Sequence, residues 1–188
     1  MKNFKTIAIA LVVALSTITA TAQDKKINAS KSKISWVGEK VTGKHTGTIN
    51  IKDGVLAFKN NKLTGGTVTV DMNSITVTDL TGESKGNLEG HLKSPDFFGV
   101  EKHPTSKMVF KSVKAKSANV YTVTADLTIK NITKPVTFDL TVDKDSASTT
   151  FKVDRTKYDI TYKSGSIFDG LGDAAIYDDF TLTVNLQF

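Results

Sequence analysis

An all-β domain, built as a sandwich or a closed barrel, is the fold class this sequence predicts, on three observations. Apolar and polar residues alternate with period two through most of the chain after Ser32, as they do in half-buried strands. Turn signals separate the alternating runs at about 8–12 residues, the spacing of sandwiches and barrels rather than of βαβ units. No long amphipathic helix is available to cover an open sheet, and closing a sheet on itself removes the edges that would otherwise stay unprotected.

The elements follow in order. After a polar leader, Lys33 to Val41 sets Ile34 and Trp36 against Lys33 and Ser35. Gly43 and Gly47 bracket a turn region, Thr48 to Lys52 alternates again, and Asp53-Gly54 reads as a hairpin dipeptide. Its return strand is Val55 to Lys59, with Leu56 and Phe58 on one face, and Asn60-Asn61-Lys62 turns the chain. Gly65-Gly66 predicts a bulge or sharp bend before the clean alternation of Thr67 to Asn73. Thr78 to Gly90 is a polar connection, and strands resume at Thr105 with Met108 and Phe110 on one face. Tyr121 to Ile129 makes a long strand, Asn131 to Lys134 its turn, and Pro135 fits the start of the next strand, which carries Val136, Phe138, Leu140 and Val142. Phe151 and Val153 share a face, Tyr158, Ile160 and Tyr162 continue the alternation, and Gly165 to Gly172 is a loop with an apolar tip at Ile167, Phe168 and Leu171. Phe180, Leu182, Val184 and Leu186 close the chain on one face.

Residues 1–22 stand apart from this pattern. Lys2 and Lys5 precede an apolar run from Ile7 to Leu15, and Ala20-Thr21-Ala22 is a small-residue cleavage site, so the segment reads as a secretory signal. The run is shorter than the roughly 20 residues that span a membrane. Cleavage would leave one domain of 166 residues, 23–188, and removing Lys2 and Lys5 lowers the net charge from +6 to +4. The absence of cysteine excludes disulfides, thiolate metal sites and a lipidated N-terminal cysteine. Of 25 basic residues only Arg155 is Arg, which argues against nucleic acid, where Arg forks and basic clusters are expected. The strands are short, Lys-rich on the outer face and lack aromatic girdles, so the terminal Phe188 does not mark an outer-membrane barrel.

One stretch breaks the strand rhythm. His91 to Pro104 places Leu92, Phe97 and Phe98 at helical or turn spacing, adds Val100, and is interrupted by Ser94-Pro95 and Gly99. Four large apolar groups in a turn-rich connection cover something apolar, so the stretch reads as a plug or gate at one end of a barrel. This stretch resembles the signature segment of the YceI-like family of polyisoprenoid-binding periplasmic proteins. The similarity extends through Thr105 to Ser112, Ala125 to Val136, and Phe151 with Arg155 and Tyr158 to the last strand. The resemblance implies an eight-stranded antiparallel lipocalin-like barrel with a short helical segment capping one end. It further implies a periplasmic or secreted chain and an isoprenoid or other long-chain lipid as the ligand.

An eight-stranded barrel holds a small ligand or is filled by its own side chains. The inward candidates, Ile34, Trp36, Ile49, Ile51, Phe58, Val68, Val70, Met72, Phe110, Leu127, Ile129, Phe138, Phe151, Phe180 and Leu182, would serve equally as a lipid-lined lumen or as a solid core. Of these, Trp36, Ile51, Phe58, Val70, Met72, Phe110, Leu127, Ile129, Phe138, Phe151 and Phe180 make up, with Leu92, Phe97, Phe98, Tyr158 and Phe168, the candidate ligand contacts. His91 and Arg155 are candidates at the mouth. Arg155 either meets a lipid headgroup or forms a fixed fork with a carboxylate such as Asp96, pinning the central stretch. His45, His91 and His103 do not sit at metal-ligand spacing, and no nucleophile motif is present, so no metal, catalytic residue or cofactor is expected. Asp169, Asp173, Asp178 and Asp179 do not match a calcium loop and read as surface charges. The expected function is a lipid carrier without chemistry of its own, needing no nucleic acid and no membrane insertion. An enzyme acting on an apolar substrate, a solid-cored interaction module, and the pairing of two barrels stay open.

Overall fold

The computed structural model describes residues 22–188. The predicted signal therefore lies outside the described residues except for Ala22, which opens the first strand. The strands are β1 (Ala22–Lys26), β2 (Lys33–Lys40), β3 (Gly43–Lys59), β4 (Lys62–Val77), β5 (Thr105–Ala115), β6 (Val120–Ile129), β7 (Ile132–Val142), β8 (Ser146–Asp154) and β9 (Ile176–Gln187). A helix, α1 (Gly82–Lys93), lies between β4 and β5. The antiparallel ladder runs β3-β2-β9-β8-β7-β6-β5-β4, and β3 also pairs with β4, so eight strands close into a barrel. The polar leader is not a loop: β1 pairs with the second half of β3, outside the closed ring.

The alternation that predicts the strands becomes an inside and an outside. In β6, Tyr121, Val123, Ala125, Leu127 and Ile129 are buried and the residues between them are not. Two hairpins turn on pairs of residues with positive φ, Asn60-Asn61 (51° and 61°) and Lys130-Asn131 (49° and 63°), the geometry whose twist suits adjoining strands. The second lies earlier than the Asn131–Lys134 turn read from the sequence, and Ile132 to Lys134 are already strand.

The Asp53-Gly54 hairpin does not form. β3 runs straight through it, and the dipeptide coincides with a register shift against β4 between Ile51 and Asp53. Tertiary pairing overrides the local turn signal because β3 carries β2 on its first half and β1 on its second. Its glycines serve close approach instead. A Cβ on Gly47 would sit 1.9 Å from the Thr76 carbonyl oxygen and 2.3 Å from the Trp36 ring, and one on Gly54 would sit 2.6 Å from Ile27 Cδ1. The bulge expected at Gly65-Gly66 is present, with Ala57 opposite Gly65 but Phe58 opposite Leu63. A larger bulge in β4 sets Asp71 opposite Asn50 but Thr76 opposite Thr48. Ser74 holds it, its Oγ donating to the Asp71 carbonyl at 2.6 Å and accepting from Asn50 N at 2.8 Å, and both Met72 and Ile75 are buried there.

The ring is weakest between β7 and β8, which pair only at Thr141–Ser148 and Val142–Ala147. Thr149 Oγ1 spans the widening gap to the Asp139 carbonyl at 2.7 Å. Pro135 therefore sits inside β7 rather than at its start, where the β8 side carries no ladder to lose. Tyr158 and Ile160, expected to continue a strand, belong to a 3-10 turn (Arg155–Tyr158) and the chain after it. Asp154 caps that turn, its Oδ1 accepting from Thr156 N at 3.0 Å and Oγ1 at 2.6 Å. Both side chains are almost wholly buried against Leu127, Ile129, Val136 and Val153, and so plug the seam.

The Tyr158 hydroxyl has no hydrogen-bond partner in the plug. Burial, with the Asp154 charge adding to it, pushes the hydroxyl up to about 12. In urea unfolding, Tyr158→Ala is expected to cost about 3–5 kcal/mol by emptying the plug. Tyr158→Phe is expected to hold or raise stability, because it removes an unpaired buried donor.

Candidate functional site

The barrel is hollow, with an apolar cavity of about 190 Å³. The lining follows β9 from Ile176 through Phe180, Leu182 and Val184 to Leu186. Among the lining rings, Phe138 stacks on Phe151 at 4.8 Å and Phe110 meets Phe138 edge-on at 6.1 Å.

Most of the residues expected to face a ligand line this space. Trp36 comes from β2, Val70 and Met72 from β4, Phe110 from β5, Leu127 and Ile129 from β6. Phe138 (β7), Phe151 (β8) and Phe180 (β9) complete the wall, and Leu92, Phe97 and Phe98 close over it. Four others lie elsewhere. Ile51 and Phe58 belong to the packed core of the far end, Tyr158 to the β7–β8 seam, and Phe168 to an outer groove with Tyr162, Lys163 and Leu171. Lining residues that the strand pattern does not single out include Ile75, turned inward by the β4 bulge, and Ile176 and Tyr177 at the mouth. A bulge breaks the period from which Ile75 could have been read.

Polar groups that reach the lumen are mostly tied to the protein. Ser106 Oγ donates to the Thr128 carbonyl at 2.8 Å, and Thr149 is held as described. Trp36 Nε1 is a buried donor with no acceptor among the described residues. Arg155 is 4% exposed and donates to three carbonyls, Tyr177 from Nε at 3.1 Å, Ile160 from Nη1 at 2.7 Å and Ile176 from Nη2 at 3.0 Å. Burial lowers its pKa while Asp178, 3.7 Å away, and Asp154 oppose the shift. The carboxylate beside it is thus Asp178 and not Asp96, and the fork pins the β8–β9 loop to β9 rather than pinning the central stretch. Asp178 also accepts from Ser164 Oγ at 2.6 Å and from Ser166, so this acid is part of the mouth and not a free surface charge. His91 does not line the lumen. Its ring stands edge-on to Phe97 at 4.9 Å and Tyr162 at 4.6 Å, with Nε2 3.7 Å from Asp96. Among the described residues no group of three His, Asp or Glu side chains is placed to hold a metal ion.

The cap differs from the expected one in where it is helical. α1 starts at Gly82, so the stretch read as a plain polar connection forms most of the helix, and only His91 to Lys93 of the plug are helical. The rest of the plug is tight turns. Phe98 N donates to the Leu92 carbonyl at 3.1 Å, Val100 N to Lys93 at 3.0 Å, and Met72 N to Pro104 at 3.0 Å, which fastens the plug to β4. Phe98 reaches Phe180 edge-on at 6.3 Å, joining cap to wall. The helix gives no sequence signal because it has no buried residue and carries glycine at 82, 86 and 90. Space around Gly86 and Gly90 is open, so packing does not require glycine at either position. Glu89 clasps the helix to β4 by accepting from Val77 N at 2.8 Å. That bond, against desolvation and with help from Lys85, holds the carboxyl below the usual range.

α1 is therefore a weak element leading into a tight plug. Gly86→Ala with Gly90→Ala is expected to stabilise it by about 1 kcal/mol per site and to raise amide protection there in hydrogen exchange. A carboxylate with a depressed folded pKa stabilises above its unfolded value and loses that contribution as pH falls through the folded value. Exchange of the Val77 amide and of α1 is expected to rise below about pH 4.5, and Glu89→Gln is expected to flatten this dependence.

Comparison with known proteins agrees with this architecture. The chain is 34% identical to a UPF0312 protein of Pseudomonas putida over 95 residues, covering 50% of this chain and 47% of that one. It is 48% identical to a UPF0312 protein of Photorhabdus laumondii over 46 residues, covering 24% and 23%. The chain thus spans about half the length of its curated relatives, or less. Among solved structures, Burkholderia cenocepacia BcnA superposes with a TM-score of 0.66 at 19% identity, covering 85% of this chain and 98% of that one. A polyisoprenoid binding domain from Saccharophagus degradans gives 0.57 at 12% identity, covering 86% and 95%. At such identities the likeness is one of fold. Residues 26–188, from the end of β1 to the last residue of β9 and beyond, match the YceI-like domain, and with the closed barrel and its helical cap in place the chain belongs to that family.

Proposed function

We propose that this protein is a lipid-binding barrel that holds a polyisoprenoid or similar long-chain apolar ligand in its lumen, for sequestration or transport outside the cytoplasm. The observation that carries the reading is the void itself, apolar along its length, closed at one end by the Phe97–Phe98 plug, with the Arg155 and Ser106 donors already spent on protein acceptors. Such a tube asks for a ligand without hydrogen-bonding needs along its length. Burial contributes about 0.8 kcal/mol per methylene, so on the order of a dozen buried carbons offsets a typical association cost. The solved relative from Saccharophagus degradans, a polyisoprenoid binding domain with the same fold, supports the same ligand class. Trp36 Nε1 fits a ligand with one acceptor oxygen at that level. No helix among the described residues is long and apolar enough to cross a membrane, which suits a barrel that carries its ligand away from one.

Organic extraction and native mass spectrometry of protein purified from its own host test the reading, with a co-purifying prenyl lipid as the expected result and an empty lumen against it. Leu127, on the wall of β6, is the position to block. Leu127→Trp is expected to abolish lipid co-purification while changing stability by less than the roughly 1–3 kcal/mol that overpacking a solid core costs.

A further inference from the structure

We propose that the mouth end of the barrel docks on the surface of a neutral, zwitterionic lipid bilayer, across which the lumen loads or releases its ligand. This rests on the ligand class proposed above. Among the described residues the large apolar side chains left exposed are Val41, Ile167, Phe168 and Tyr177, at 48%, 49%, 48% and 52%. They belong to the β2–β3 hairpin, the β8–β9 loop and the start of β9, and all lie at the end of the barrel that carries α1 and the plug.

Backbone bonds hold these segments together at that end. Val41 N donates to the Ala175 carbonyl at 3.2 Å, Ile176 N to Lys163 at 2.9 Å, and Phe168 N to Ser164 at 2.9 Å. The face is continuous with the lumen, because Ile176 and Tyr177 also line the void. Exposed Val, Ile and Phe beside an amphipathic Tyr make a surface suited to the boundary between water and hydrocarbon.

Charge selects the occupant. With Asp178 paired to Arg155, residues 39–44 and 163–179 carry Glu39, Asp169, Asp173 and Asp179 against Lys40, Lys44 and Lys163, so the rim is close to neutral. Such a rim offers no basic cluster for an anionic surface to bind. A neutral bilayer meets the apolar side chains without needing charge, and it is where a prenyl lipid dissolves.

The chain has no cysteine, so one introduced thiol gives a unique label. An environment-sensitive fluorophore on Ile167→Cys is expected to shift to the blue on adding phosphatidylcholine vesicles, while the same label on Lys114→Cys, in the β5–β6 ladder at the far end, is expected to stay water-like. The triple variant V41S/I167S/F168S is expected to co-sediment with these vesicles about tenfold less and to take up a fluorescent prenyl alcohol from them more slowly. Its equilibrium capacity for that alcohol should match the parent, since none of the three side chains lines the lumen. An unmoved label at 167, equal shifts at 167 and 114, a need for anionic lipid, or a shift that follows protein concentration without vesicles each overturns the docking face. A parent chain that binds vesicles through this face but never holds the alcohol overturns the ligand reading instead, so the two fail separately.

Discussion

An antiparallel sheet with two free edges leaves two rows of unpaired N–H and C=O groups, and pairing β3 with β4 removes both rows from the eight-stranded ring of this protein. Closure has a geometric consequence. Eight strands at the usual tilt enclose an interior that side chains can only just fill, and here the apolar side chains facing inward leave part of it open. The cap, the plug and the Arg155 fork all act at one end of that lumen.

Closure is also where the fold comes nearest to failing. β7 and β8 share two residue pairs before diverging, and a barrel open along that line would let water into an apolar lumen. The chain solves this locally, by following β8 with a capped 3-10 turn whose Tyr158 and Ile160 fill the gap. Arg155, the first residue of that turn, spends its guanidinium on carbonyls of residues 160, 176 and 177. One short segment thus seals the seam and fixes the rim of the mouth, which links the integrity of the ring to the shape of its opening.

The two ends of the barrel are built to different standards. At the far end the packed core from Leu56 and Leu63 to Leu140 and Leu186 leaves little surface to water. At the mouth end a helix without buried residues leads into a plug of tight turns, and the exposed apolar side chains lie at this same end. Stability is thus concentrated at one end of the barrel and weakness at the other.

Alternation of period two in the sequence determined the all-β class, most strand positions and most of the lumen wall, because inside and outside of a barrel are written residue by residue along each strand. Trp36, Phe110, Leu127, Phe138 and Phe180 were legible for that reason. Interactions between distant segments decided the rest. Asp53-Gly54 carries a strong turn signal that β1, β2 and β4 overrule by pairing along β3. Tyr158 alternates with its neighbours yet fills a seam that exists only once β7 and β8 diverge, and α1 has no apolar face to betray it. Whether the apolar stripe meets in the middle or leaves a void depends on ring directions and strand tilt, quantities that no one-dimensional pattern contains.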